Sequence, residues 1–88
     1  MSDDAKRDLK KLEKIDTSRI IAKLKELCGA AAERLDVKKL KHSKYSLYRL
    51  RVGMFRVVYR IEHDKIVIYV VGIGHRKEIY NRIRNRLY

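Results

Sequence analysis

The sequence predicts one small α+β domain: an N-terminal α-helical hairpin packed on an antiparallel β-meander of three strands and closed by a C-terminal helix. Two observations carry this prediction. Apolar residues recur at helical spacing as far as Leu35, alternate with charged residues from Tyr45 to Ile61, and return to helical spacing after His75. The chain also has no proline, no repeat and no low-complexity tract, and its 88 residues leave room for a single domain spanning 1–88. The core of such a domain is modest, so any site must be assembled from surface-facing side chains of a few elements.

Ser2 followed by Asp3 and Asp4 reads as an N-cap with acids in the first turn, and Ala5, Leu9 and Leu12 form the apolar stripe of a first helix ending near Ile15. Asp16-Thr17-Ser18 then caps a second helix. Its wide apolar face comprises Ile20, Ile21, Leu24, Leu27, Cys28, Ala31 and Leu35, so the two helices pair as a hairpin with one side turned to a core. Residues 36–44 read as a basic connection anchored by Val37 and Leu40.

In the first strand Tyr48, Leu50 and Val52 point one way and Arg49 and Arg51 the other. Gly53-Met54 allows a tight turn. In the second strand Phe55, Val57, Tyr59 and Ile61 alternate with Arg56, Val58 and Arg60, and His63-Asp64 turns the chain again. The third strand, Lys65 to about Ile73, is apolar on both faces and is expected at the centre of the sheet. Ile79, Ile83 and Leu87 mark the final helix.

Lys and Arg number 23 against 11 Asp and Glu, a net charge of +12. That charge fits nucleic acid, an anionic membrane surface or an acidic protein, and does not choose among them. The longest apolar run, Ile66 to Val71, is far too short to span a bilayer, and no apolar segment follows the charged N-terminus as a signal peptide requires, so a cytoplasmic location without membrane contact is expected. Cys28 stands alone among apolar residues at helical spacing and reads as a buried structural thiol. His42, His63 and His75 fall in three different elements without ligand spacing, so no metal is expected.

The two halves carry different kinds of positive charge. Residues 1–44 mix ten Lys and three Arg with eight acids, the composition of solvated helix faces, whereas residues 45–88 hold eight Arg against two Lys, with all six tyrosines. Arginine's planar fork suits bidentate phosphate contact and stacking on bases, which places function in the second half. Arg49 and Arg51 share one strand face, and Arg56 and Arg60 share one face of the next. A hairpin register sets all four side by side. Either an anion lies there, or the four arginines are independently solvated. Glu62 and Glu78 are the nearest acids, both expected in solvated salt bridges.

The run Tyr48-Arg49-Leu50-Arg51-Val52-Gly53-Met54-Phe55-Arg56-Val57-Val58-Tyr59, with Ile68-Tyr69-Val70-Val71-Gly72-Ile73-Gly74-His75-Arg76-Lys77-Glu78-Ile79-Tyr80 after it, resembles the RelE toxin family of toxin–antitoxin systems. The similarity extends back through the helical hairpin. It implies a RelE-like fold, and a ribosome-dependent endoribonuclease that cleaves messenger RNA in the ribosomal A site without a cofactor. It also implies an acidic, RelB-like antitoxin as partner. Family members usually begin with a short strand ahead of the first helix. This chain begins at the helix, so that strand is missing and a sheet edge is expected to lie open.

Carried over residue by residue, Arg49 and Arg51 match the paired basic positions of the family's first meander strand, Arg56 the arginine of the second, Arg76 the arginine after the third, and Tyr80 the C-terminal tyrosine. Some members carry lysine at the paired positions. Lysine can lose its proton when crowded by cations and arginine essentially cannot, so Arg49, Arg51, Arg56 and Arg76 are assigned to phosphate binding and transition-state charge. His75, of a type that exchanges protons near neutral pH, reads either as a base or as a surface histidine flanking Arg76. Tyr80 either exchanges a proton or stacks on a base, or it packs the last helix. Lys38, Lys39, Lys41 and Lys44 read as ribosomal RNA contacts or as solvated charge. Arg60 reads as a further RNA contact or as a partner of Glu62 or of a helix. Two other functions stay open: the non-catalytic, gyrase-inhibiting ParE-like toxins that share the fold, and a basic RNA-binding module.

Overall fold

The computed structural model describes residues 1–29, 34–40, 46–62 and 67–87. Its elements are α1 (Asp3–Lys10), α2 (Lys14–Leu27), β1 (Val37–Lys39), β2 (Leu47–Val52), β3 (Phe55–Glu62), β4 (Val67–His75) and α3 (Ile79–Leu87). The readings of Ala31, Lys41, His42, Lys44, Tyr45 and the His63-Asp64 turn lie outside the described residues.

Ser2 caps α1 as its sequence requires: its Oγ accepts a hydrogen bond from the Ala5 N–H at 3.1 Å, and Asp3 and Asp4 occupy the positive end of the helix. The helix stops at Lys10, short of Ile15, and α2 has already begun at Lys14. Asp16-Thr17-Ser18 therefore lies inside α2 and does not cap it. The Thr17 hydroxyl instead donates to the Leu9 carbonyl at 3.4 Å, tying the two helices together. Ile20 is fully buried and Leu24 and Leu27 half-buried, but Ile21 and Cys28 are exposed. Cys28 is thus no buried thiol. Seven residues apart, it and Ile21 share the flank of α2 that turns away from the sheet.

The sheet is antiparallel with order β1-β2-β3-β4, one strand more than the sequence indicates. The extra strand, β1, lies within the supposed basic connection and pairs Val37 with Leu50, Lys38 with Arg49 and Lys39 with Tyr48. Three residues are too few for a period to register. β4 is an edge strand, not the central one. It is apolar on both faces because α1 packs on one side and α3 on the other. Its outer edge is partly covered: the Ser2 N–H donates to the Val70 carbonyl at 2.8 Å, the Asp8 carboxylate accepts from the Ile73 N–H at 3.0 Å, and Arg86 donates to the Val71 carbonyl at 3.3 Å. These contacts satisfy backbone groups that an open edge leaves to solvent or to another chain.

Two apolar clusters sandwich the sheet. On the hairpin side Ala5 and Ile20 pack against Leu50, Val57, Tyr59 and Ile73, and on the other side Ile79 and Ile83 of α3 pack against Leu47, Val58 and Val71. A bulge opposite Val58/Tyr59 brings Val71 and Gly72 together beneath α3. Gly72 sets how close that helix comes, since a methyl group there would lie 2.5 Å from Ile83 Cδ1 and 3.1 Å from Ile79 Cδ1. At the β2–β3 turn Gly53 adopts φ +59°, a conformation open to it for lack of a Cβ.

Candidate functional site

Strand alternation puts Leu50, Val52, Val57 and Tyr59 on the hairpin side, which leaves Arg49, Arg51, Arg56 and Arg60 on the side of α3. Arg51 stands directly opposite Arg56 across the β2–β3 ladder. Like charges in that relation repel. Arg56 is nevertheless only 7 % exposed, and its Nη1 donates to the Gly53 and Phe55 carbonyls, both at 3.0 Å. Burial lowers its pKa from the ordinary arginine value, and the charges of Arg51, Arg49 and Arg76 lower it further, while the nearby Tyr80 hydroxyl acts the other way. Four groups from β2, the β4–α3 turn and α3 thus act on one buried guanidinium, which an ordinary value far above neutrality keeps charged.

Tyr80 owes its place to its neighbour. Ile79, fully buried under the sheet, pins the first turn of α3, and Tyr80 beside it stays 41 % exposed. It faces an open groove of about 290 Å³ whose other walls are Lys38, Lys39, Leu40 and Arg49. The Arg49 Nε–H is buried and lacks a hydrogen-bond partner among the described residues. A concave surface with three cations and a spare donor is suited to a phosphate, and a half-exposed phenol at its rim can reach a neighbouring atom of the same ligand.

His75 does not join this face. It pairs with Phe55 across β3–β4, and the two rings lie 4.7 Å apart on the hairpin side of the sheet. Arg60 is engaged by Tyr69, its guanidinium 4.8 Å from the ring centroid, and stands four residues along β3 from Arg56, about 13 Å at strand rise. Glu78 forms a solvated pair with Arg82 at 3.1 Å. Among the described residues, an acid the sequence reading passed over pairs with the two arginines: Asp36, just ahead of β1, at 3.1 Å from Arg49 and 3.8 Å from Arg51. Sequence reasoning missed it because the residue falls in the stretch read as a connection. No group of three or more His, Cys, Asp or Glu among the described residues could hold a metal. No helix among them is long and apolar enough to cross a membrane.

The family model of the ParE toxins of type II toxin–antitoxin systems, parDE, matches residues 1–80. The chain belongs to the RelE/ParE toxin superfamily. Solved structures of RelE toxins share its fold. The toxin in the RelB–RelE antitoxin–toxin complex of Methanococcus jannaschii superimposes with a TM-score of 0.74 at 28 % identity, covering 92 % of this chain and 94 % of that one. The archaeal RelE–RelB complex of Pyrococcus horikoshii OT3 gives 0.69 at 27 % identity over 85 % and 89 %, and the RelBE2 complex of Mycobacterium tuberculosis 0.59 at 29 % over 85 % and 91 %. Curated proteins gave no match. The chain is therefore a RelE-like toxin of a type II toxin–antitoxin system.

Proposed function

We propose that this toxin is a ribosome-dependent endoribonuclease that cleaves messenger RNA in the ribosomal A site, and that an acidic, RelB-like antitoxin silences it. The observation that carries this reading is the convergence of Arg49, Arg51, Arg76 and Tyr80 on the buried Arg56. Cleavage by the RNA's own 2′-hydroxyl builds negative charge on the phosphate and leaves a 5′-oxygen that needs a proton. Arg51 and Arg56 bind the non-bridging oxygens. Arg49 and Arg76 flank them and hold the transition-state charge. The Tyr80 hydroxyl protonates the departing oxygen. Lys38 and Lys39, exposed on β1, extend the positive surface toward ribosomal RNA.

The antitoxin partner is supported by the three similar structures, each a toxin–antitoxin complex. A translating ribosome as the site of action puts the toxin in the cytoplasm, and the guanidiniums of the chain supply the charge, so the reading invokes no cofactor. The match to the ParE family model favours a second reading, a gyrase inhibitor that cuts no RNA. Cell-free translation of a reporter separates the two. The nuclease leaves a cut in the translated message, none in naked RNA, and none with Tyr80→Phe. An intact message together with inhibited DNA supercoiling supports the gyrase reading and overturns ours.

A further inference from the structure

An attack by the 2′-hydroxyl needs a group to take its proton, and neither the arginines nor His75, turned to the opposite face, can serve. We infer that Asp36 is the general base of this site, an inference that rests on the ribonuclease reading above. Continuing the β1–β2 register by one residue sets Asp36 opposite Arg51, which itself faces Arg56, so carboxylate and guanidiniums form one row across the sheet. The Arg51 N–H donates to the Asp36 carbonyl at 3.0 Å, which fixes the Asp36 backbone at the head of β1. One carboxylate oxygen meets Arg49 Nη2 at 3.1 Å and the other meets Arg51 Nη1 at 3.8 Å. Both contacts aim the group along the phosphate-binding face.

Accessibility is what separates this acid from the structural one. Asp8 is almost wholly buried, whereas the Asp36 side chain is 53 % exposed, open to a ribose laid along the row. Lys38 on β1 stands two residues beyond it on the same face, so the groups that surround Asp36 are cations: Lys38, Arg49 and Arg51, with Arg56 further along the row. A carboxylate so placed is within reach of a 2′-hydroxyl laid along the row and can accept its proton. In the step itself the 2′-O–H proton passes to Asp36 and the 2′-oxygen bonds to phosphorus. The bond from phosphorus to the 5′-oxygen breaks, and that oxygen takes the Tyr80 proton. The products are a 2′,3′-cyclic phosphate and a 5′-hydroxyl. Asp36 then releases its proton to solvent, and Tyr80 regains one.

The bland alternative is a counter-ion that only screens the arginines and competes with phosphate for them. Asp36→Asn tells the two apart through rate and affinity. A base predicts ribosome binding equal to or tighter than wild type, with single-turnover cleavage of the bound message slower by about 10²-fold or more. Asp36→Ala, equally slow, should regain rate as formate is added, a response that loss of folding or of a salt bridge does not give. Cleavage by Asp36→Asn as fast as wild type or faster, or Asp36→Ala unmoved by formate, overturns the assignment while leaving the nuclease reading in place. Wild-type toxin that leaves translated messages intact removes both.

Discussion

Burial and three neighbouring cations all oppose the charge on Arg56, while the two carbonyls at the β2–β3 turn and the nearby Tyr80 offset them in part. A site of this kind trades stability for function. Arg51→Thr removes the cation opposite Arg56 and supplies a β-branched residue suited to a strand, so thermal denaturation should show stability unchanged or raised by up to about 1 kcal/mol while cleavage is lost. A clear loss of stability would mean that Arg51 serves the fold. The positions of these arginines were legible in the sequence because period-two alternation assigns a face to every strand residue. The same rule sets His75 apart from them and fits its reading as a surface histidine beside Arg76. β4 runs on to His75, past the expected end at Ile73, so alternation continues and carries the imidazole to the face of Phe55. Asp36 was not legible, since nothing in its surroundings marks a three-residue strand.

Among the elements, α3 decides whether Tyr80 meets the arginines, and two devices hold it. One is Gly72, on which Ile83 and Ile79 rest. Gly72→Val should push the helix off the sheet and cost both stability and cleavage, measured by denaturant unfolding and by the reporter assay. The other is Asp8, whose carboxylate takes a bidentate pair from Arg86 at 2.8 and 2.9 Å and lies 3.7 Å from Arg82. Burial alone would raise the Asp8 pKa, but the Arg86 hydrogen bond, the Ile73 N–H and the charges of Arg86 and Arg82 outweigh it and hold the carboxyl below its usual range. The folded value lies below the unfolded one. This contribution to stability is therefore complete above the unfolded value near pH 4 and is lost as pH falls from there through the lower folded value. Asp8→Asn should cost about 3 kcal/mol at neutral pH, by taking from the half-buried Arg86 its bidentate carboxylate and leaving it only the more distant Asp4, and should flatten the acid side of the stability profile. The helix was evident from Ile79 and Ile83. Its anchor was not, because an ion pair spanning 78 residues leaves no local pattern.

Over the whole molecule the net charge is +12, and the arginines of β2 and β3 line one face of a two-sided sheet. One apolar cluster ties α1 and α2 to the back, the other seats α3, and the arginine row lies beside α3. If the toxin docks through phosphate contacts, its affinity for ribosomes should fall steeply between about 50 and 200 mM salt, and a flat dependence in sedimentation would argue against an RNA partner. The class of fold could be read from two changes of period, whereas the order of strands could not: an edge strand covered on both sides by helices has the same apolar sequence as a central one. The most direct test of the account is to map the ends of a reporter message after translation with wild-type toxin and with Arg56→Ala, a variant that keeps the rest of the basic surface. The account predicts a defined cut with wild type, in the translated message only, and at least about 10²-fold less with Arg56→Ala. An intact message with wild-type toxin, or equal cutting by the two proteins, would contradict it.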